Sequence, residues 1–201
     1  MSDLARVKEV MEAIASRREM SLEPKTTSFG PAYLPLPLKG NFLRITQALN
    51  RLDIPLLTKI TRALIASKLS SPLISFQPGF DCMFGNIIGE NISMSDTRCI
   101  DYANIYLGRG ASFSFQNIII TSTHDFEDMG IVRAKEIIIG ENVWVTSRVV
   151  ILPGVKIGHN SVIGSGSVVS SDIPPNCFAA GVPAKLIKVI NRKAGENRVS
   201  Y

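Results

Sequence analysis

The chain has 201 residues, 45% of them hydrophobic and 7% aromatic, with 15 Gly and 11 Pro. That supports a buried core in one domain with an extension and excludes a disordered tail. Net charge is +5, yet residues 1–75 hold eleven Lys/Arg against six Asp/Glu while 76–201 hold eleven of each, and no basic recognition helix or RNA-binding aromatic motif accompanies the excess, which argues against nucleic acid.

Residues 3–20 read as a helix, with Leu4, Val7, Val10, Met11 and Ile14 at helical spacing. The connector SLEPKTTSFGPAYLPLPLKG carries prolines that forbid continuous helix. Two helical stretches follow, NFLRITQALNRL and IPLLTKITRALIASKL. The second is amphipathic and basic: Leu57, Ile60 and Leu64 share one face, and Lys59, Arg62 and Lys68 lie elsewhere. It is expected to dock on the main domain, with peripheral membrane contact as the alternative. Residues 1–75 thus form a helical N-terminal extension with a Pro-rich connector.

From Phe76 the texture changes. Aliphatic residues recur every six positions at Ile139, Val145, Ile151, Ile157, Ile163 and Val169, most followed by a small residue. The same interval links Phe76, Cys82, Ile88, Met94 and Ile100, then Leu107, Phe113 and Ile119 after a one-residue slip. That period fits neither an amphipathic helix nor a hairpin array; it fits a mainly β chain wound as a parallel β-helix, each hexapeptide one short strand plus a turn. Gly89-Glu90-Asn91, Gly140-Glu141-Asn142 and Gly158-His159-Asn160 suit its corners. The solenoid is expected over 76–190 and a tail over 191–201.

The rhythm breaks between Ile119 and Ile139, where TSTHDFEDMGIVRAKE reads as a loop thrown out of the solenoid. His124 stands near its start, after Thr121-Ser122-Thr123 and before Asp125. The other histidine, His159, occupies a turn position and is expected to be solvated. Two histidines cannot supply three ligands to one metal, so no metal is expected. Cys82, Cys99 and Cys177 show no CxxC pairing, which argues against a disulfide or zinc framework. With neither a signal-peptide core nor a membrane-length apolar run, a soluble, reducing, cytoplasmic setting is expected, at most peripheral at the inner membrane face.

Several blocks together carry a resemblance. Asn-Val-Trp around Trp144, Ile151-Leu152-Pro153-Gly154-Val155, Asp172-Ile173-Pro174-Pro175-Asn176 and Ala179-Ala180-Gly181-Val182-Pro183-Ala184-Lys185 are similar to the hexapeptide-repeat O-acetyltransferases of the maltose/galactoside type. PGFDCMFGNIIGEN and Ile100-Asp101 resemble that family's upstream blocks, and the histidine-bearing loop falls where it carries its catalytic histidine.

The resemblance implies a left-handed solenoid, a homotrimer with sites between neighbouring copies, acetyl-CoA as donor and a sugar or surface-polysaccharide precursor as acceptor. It implies His124 as general base, the backbone N–H near Ser147 as oxyanion donor, and Asp101 and Ser95 on the acceptor side. Trp144, Ser165, Ser170, Lys185 and Lys188 would line the acetyl-CoA site. This chain departs from the family in residues 1–75, in a Gly85–Gly89 block two residues short, in Ser95 where asparagine is frequent, and in Ser171 where a basic residue is common. Those departures concentrate on the acceptor side. Alternatives are N-acetylation of an amino-sugar nucleotide and a non-catalytic solenoid used for binding or assembly.

Overall fold

The computed structural model describes residues 3–30, 45–49, 52, 54, 56, 57, 60, 61, 64, 65, 74, 75, 77 and 79–191. Most of the Pro-rich connector, Phe76, Lys59, Arg62, Lys68 and the tail after Asn191 lie outside these residues.

From Ile74 the chain winds as a parallel β-solenoid whose short strands fall on three faces. The first face carries Ile74–Ser75, Ile92–Ser93, Ser112–Phe113, Trp144–Val145, Val162–Ile163 and Cys177–Gly181, closed by the antiparallel Ala184–Val189. Asp81–Cys82, Arg98–Ile100, Ile118–Ile120, Val150–Ile151 and Val168–Val169 make the second. Ile87–Gly89, Ile105–Leu107, Ile137–Ile139 and Lys156–Ile157 make the third, continued by a bridge from Ile157 to Ile173. Two- and three-residue strands bury little alone. Stability comes from stacking each coil on the next, about 1.5–3 kcal/mol for each aliphatic side chain taken fully from water.

All six aliphatics of the unbroken run, Ile139 to Val169, lie in the core. The earlier coils are less regular than the six-residue interval implies. Cys99, not Ile100, pairs with Ile119 in the inner column. On the third face Gly89, not Ile88, registers with Leu107 and Ile139. Gly89 is required by contact: a Cβ there would lie 2.4 Å from the Leu107 carbonyl oxygen and 2.2 Å from Ile92 Cδ1. Ile88 points outward, where Tyr106 and Ile138 also lie, and these three form a second core with Val10 and Ile14.

That outer core is covered by the N-terminal helix, Asp3–Ala15. The helix is shorter than the predicted 3–20 because Arg17 turns left-handed at φ 57° while the Arg18 N–H bonds back to the Ala13 carbonyl at 2.7 Å. The fully buried Glu19 follows. Its Oε1 accepts from the His159 backbone N–H at 2.7 Å and lies 2.8 Å from the His159 Nδ1. His159 is therefore a half-buried anchor point and not the solvated turn residue expected. Lys156 Nζ donates to the carbonyls of Met20 (3.1 Å) and Leu22 (2.9 Å).

Corner residues repeat in conformation as well as type. Asn91, Asn142, Asn160 and Asn176 all have φ between 53° and 59°, with Gly110 at 75° in the equivalent corner. Asn142 donates to Asn160 at 3.3 Å and Asn160 to Asn176 at 2.9 Å, a side-chain ladder along one edge. Residues 45–49, 56, 57, 60, 61, 64 and 65 are helical. There the buried residues are Thr46, Gln47, Thr61 and Ile65, whereas Ile60 and Leu64 of the expected docking face are exposed. Gln47 Nε2 donates to the Cys82 carbonyl at 3.1 Å.

Candidate active site

The chain leaves the second face after Ile120, makes the strand Ser122–His124, turns, and returns as Val132–Lys135 before rejoining the third face. The predicted loop is thus a β-hairpin. It gains a third strand from the N-terminal extension: Thr26–Phe29 pairs antiparallel with Val132–Lys135. Phe29, Val132 and His124 are register partners and stand in one row across the three strands.

Asp125 holds the hairpin turn. Its Oδ1 accepts the N–H groups of Glu127 (2.9 Å) and Asp128 (3.1 Å), and its Oδ2 takes the Arg133 guanidinium. Those backbone donors, then Arg133, hold the Asp125 carboxyl below the usual carboxylate range. The closed turn brings the Met129 carbonyl oxygen to 2.7 Å from His124 Nδ1. A carbonyl only accepts, so Nδ1 carries the hydrogen and Nε2 keeps its lone pair, the tautomer a general base needs. Sequence reasoning missed this support. Its signal was Asp125 followed by Glu127, Asp128 and Gly130, an Asx-turn composition.

The acceptor-side candidates separate. Asp101 is fully buried, its Oδ1 accepting from the N–H groups of Met83 (2.8 Å) and Phe84 (3.1 Å) and its Oδ2 from Asn86 (2.6 Å). Burial raises its carboxyl above the ordinary value, against the three backbone donors. Both oxygens serve the turn 83–86. Thr121, also buried, ties that corner to the hairpin by donating to the Ile100 carbonyl and accepting from the Ala103 N–H, both at 3.0 Å. Ser95 is buried with φ 44° and donates to the Phe113 carbonyl at 2.7 Å, so its hydroxyl is spent inside the solenoid.

Two of the donor-side candidates, Trp144 and Lys188, share a row. Trp144 registers with Ser112 and Val162, Val162 with Phe178, and Phe178 with Lys188, all on the outer side of the first face. Three strand spacings put Trp144 and Lys188 roughly 14 Å apart. Trp144 is 42% exposed, its Nε1 donating to Ser114 Oγ at 3.1 Å. Ser165 is exposed and bonds Thr146 Oγ1 at 3.0 Å. Lys185 and Lys188 are exposed on the closing strand. Among the described residues, no acceptor takes the N–H of Ser147, whereas its carbonyl accepts from Gly166 at 3.0 Å. An outer face that runs from Trp144 over Val162 and Phe178 to exposed lysines, with the Ser165 and Thr146 hydroxyls beside it, suits an extended molecule with an anionic end.

These groups occupy two corners of the prism. Trp144, Ser147, Ser165 and Ser95 lie on the first face or its junction with the second. His124, Asp101 and Ser170 lie at the junction of the second face with the third. Ser170 there lines a shallow cleft with Gly154, Lys135 and Asp172, away from Trp144.

A family model for "Bacterial transferase hexapeptide (six repeats)" matches residues 136–171. A putative acetyltransferase of Saccharomyces cerevisiae is 36% identical over 143 residues, 68% of this chain and 72% of that protein. The chain belongs to the hexapeptide-repeat acetyltransferase family. Within the family it is 56% identical to a galactoside O-acetyltransferase of Escherichia coli, over 52% of this chain and 64% of that one. It thus spans under two thirds of the first curated relatives it matches. Its fold superposes on a galactoside acetyltransferase in complex with coenzyme A with TM-score 0.72 and 29% identity, covering 90% of this chain and 91% of that one.

Proposed function

We propose that the protein is an acetyl-CoA-dependent O-acetyltransferase acting on a sugar hydroxyl. The observation that carries this reading is His124, exposed on a braced hairpin with Nε2 available. Nε2 removes the proton from the acceptor hydroxyl as that oxygen attacks the thioester carbonyl. The carbon–oxygen bond forms, the carbonyl oxygen takes negative charge, and the N–H of Ser147 donates to it. Collapse breaks the carbon–sulfur bond, and the imidazolium returns its proton to the departing thiolate. A positioned base contributes about 10²–10⁴-fold to such a step.

Base and oxyanion donor sit on different corners of one copy, so the reading includes an assembly, a homotrimer in which one copy's hairpin meets another's Trp144 row. The galactoside O-acetyltransferase relative supports a glycoside acceptor, with a polysaccharide precursor as the larger alternative. Mass spectrometry of products from acetyl-CoA with galactosides, maltosides and lipid-linked glycans tests the reaction; no acetylated product in any panel overturns it. Mixing His124→Ala and Trp144→Ala subunits, assayed at acetyl-CoA far below the KM of the Trp144 variant so that neither is active alone, tests the assembly. Shared sites in random trimers restore about a quarter of wild-type activity; sites within single copies restore none.

A further inference from the structure

Phe29, Tyr102 and Phe84 form an aromatic cluster that no role above uses. The ring centroids of Phe84 and Tyr102 are 4.9 Å apart in an edge-on arrangement, and those of Phe29 and Tyr102 are 6.4 Å apart. All three rings are only partly buried. They come from three separate pieces of chain: the N-terminal strand, the corner after Asp101, and the turn 83–86, whose main-chain amides at Met83, Phe84 and Asn86 donate to Asp101.

The cluster borders the hairpin of the general base. Phe29 and His124 are both register partners of Val132, and cross-strand partners project to the same face of an antiparallel sheet. Val132 and Ala134 on that face are buried, while Arg133 on the other is exposed. Phe29 and His124 therefore flank Val132 on the solenoid-facing side, with Cα atoms roughly 10 Å apart. Thr121, bonded to Ala103, joins the corner carrying Tyr102 to the hairpin from the other side.

We propose that Phe29, Tyr102 and Phe84 form the acceptor platform, on which the apolar C–H face of a pyranose lies with one hydroxyl turned toward His124 Nε2. Partly exposed aromatic walls with a few placed polar groups are the usual makeup of a small-molecule site. The electron-rich ring face suits polarised C–H groups and leaves the sugar hydroxyls free. The inference rests on the sugar O-acetyltransferase reading. It adds that acceptor choice lies with the N-terminal extension, because Phe29 belongs to it.

The test is steady-state acetylation of a panel of methyl glycosides by wild type, Phe29→Leu, Tyr102→Leu and Tyr102→Phe. Loss of one ring is expected to raise the acceptor KM about tenfold. kcat, the acetyl-CoA KM and the thermal midpoint should stay near wild type, and Tyr102→Phe, which keeps the ring, should behave as wild type. An unchanged acceptor KM in both leucine variants of an active enzyme overturns the platform. So does a parallel loss of thermal midpoint and acetyl-CoA binding, which would make the cluster packing only. A wild type that acetylates no glycoside overturns the parent reading instead.

Discussion

The imidazole Nδ1 of His124 lies 2.7 Å from the main-chain oxygen of Met129, five residues further along the same hairpin. Because that partner is backbone, the tautomer is set by the geometry of the hairpin turn, which the Asp125 side chain holds. The histidine is exposed, so replacing it removes little packing. His124→Ala is expected to lower kcat by about 10²–10⁴-fold. Calorimetry should find coenzyme A binding close to wild type. A variant with wild-type kcat would remove the base from the mechanism.

The hairpin has an acid limit set by Asp125. Its folded carboxyl titrates below its unfolded value, because the Glu127 and Asp128 N–H groups and Arg133 favour the anion. A depressed carboxylate contributes stability above its unfolded pKa and loses it as pH falls through the folded one. Protection factors at 125–131, exchange rates referred to the intrinsic rate at the same pH, should therefore fall on acidification below about pH 4. In Asp125→Asn protection should already be low at neutral pH, with kcat reduced because Met129 no longer holds Nδ1. Protection factors that are independent of pH in wild type would show that the turn does not depend on this carboxylate.

The solenoid was readable because Ile139 to Val169 keep one period and every member points inward. The same rule fails at Ile88, and the reason is physical. A three-residue strand alternates in, out, in, and the outward residue is normally polar. Here it is apolar on three successive coils, Ile88, Tyr106 and Ile138, because the N-terminal helix covers it. Periodicity alone cannot tell a residue facing the core from one facing a docked helix. His124 stood out because it interrupted the repeat. The Glu19–His159 contact left no local mark, since its partners are far apart in the chain and each side chain is ordinary for its turn.

Trp144 supplies its own assay, as the sole tryptophan of the chain and 42% exposed at the head of the proposed donor row. Coenzyme A should change its emission saturably. Lys188→Ala, three strands along the row, should weaken that binding a few-fold and reduce its salt dependence, since a lysine acts on phosphate as a screened point charge. Trp144→Phe should keep the fold and raise the acetyl-CoA KM. Emission that does not respond to saturating coenzyme A, in a protein that binds it by calorimetry, would move the donor site elsewhere.

The N-terminal clasp makes the last prediction, on stability. Glu19 is fully buried, its Oε1 holds both the His159 N–H and ring, and its Oε2 has no partner among the described residues. Glu19→Ala leaves the His159 donors unpaired and opens a void against Gly140, whose missing Cβ makes room for this carboxylate: a Cβ there would lie 2.8 Å from Oε1. The expected cost is about 1–3 kcal/mol. Lys156→Met removes the other tether, to Met20 and Leu22, and the two losses should not add, because both hold the same turn. Exchange protection should fall first over 3–22 and persist over the solenoid core, because stacked coils support one another without the helix. If exchange over 3–22 is unchanged in the double variant, the outer apolar core of Val10, Ile14, Tyr106 and Ile138 holds the helix without the clasp.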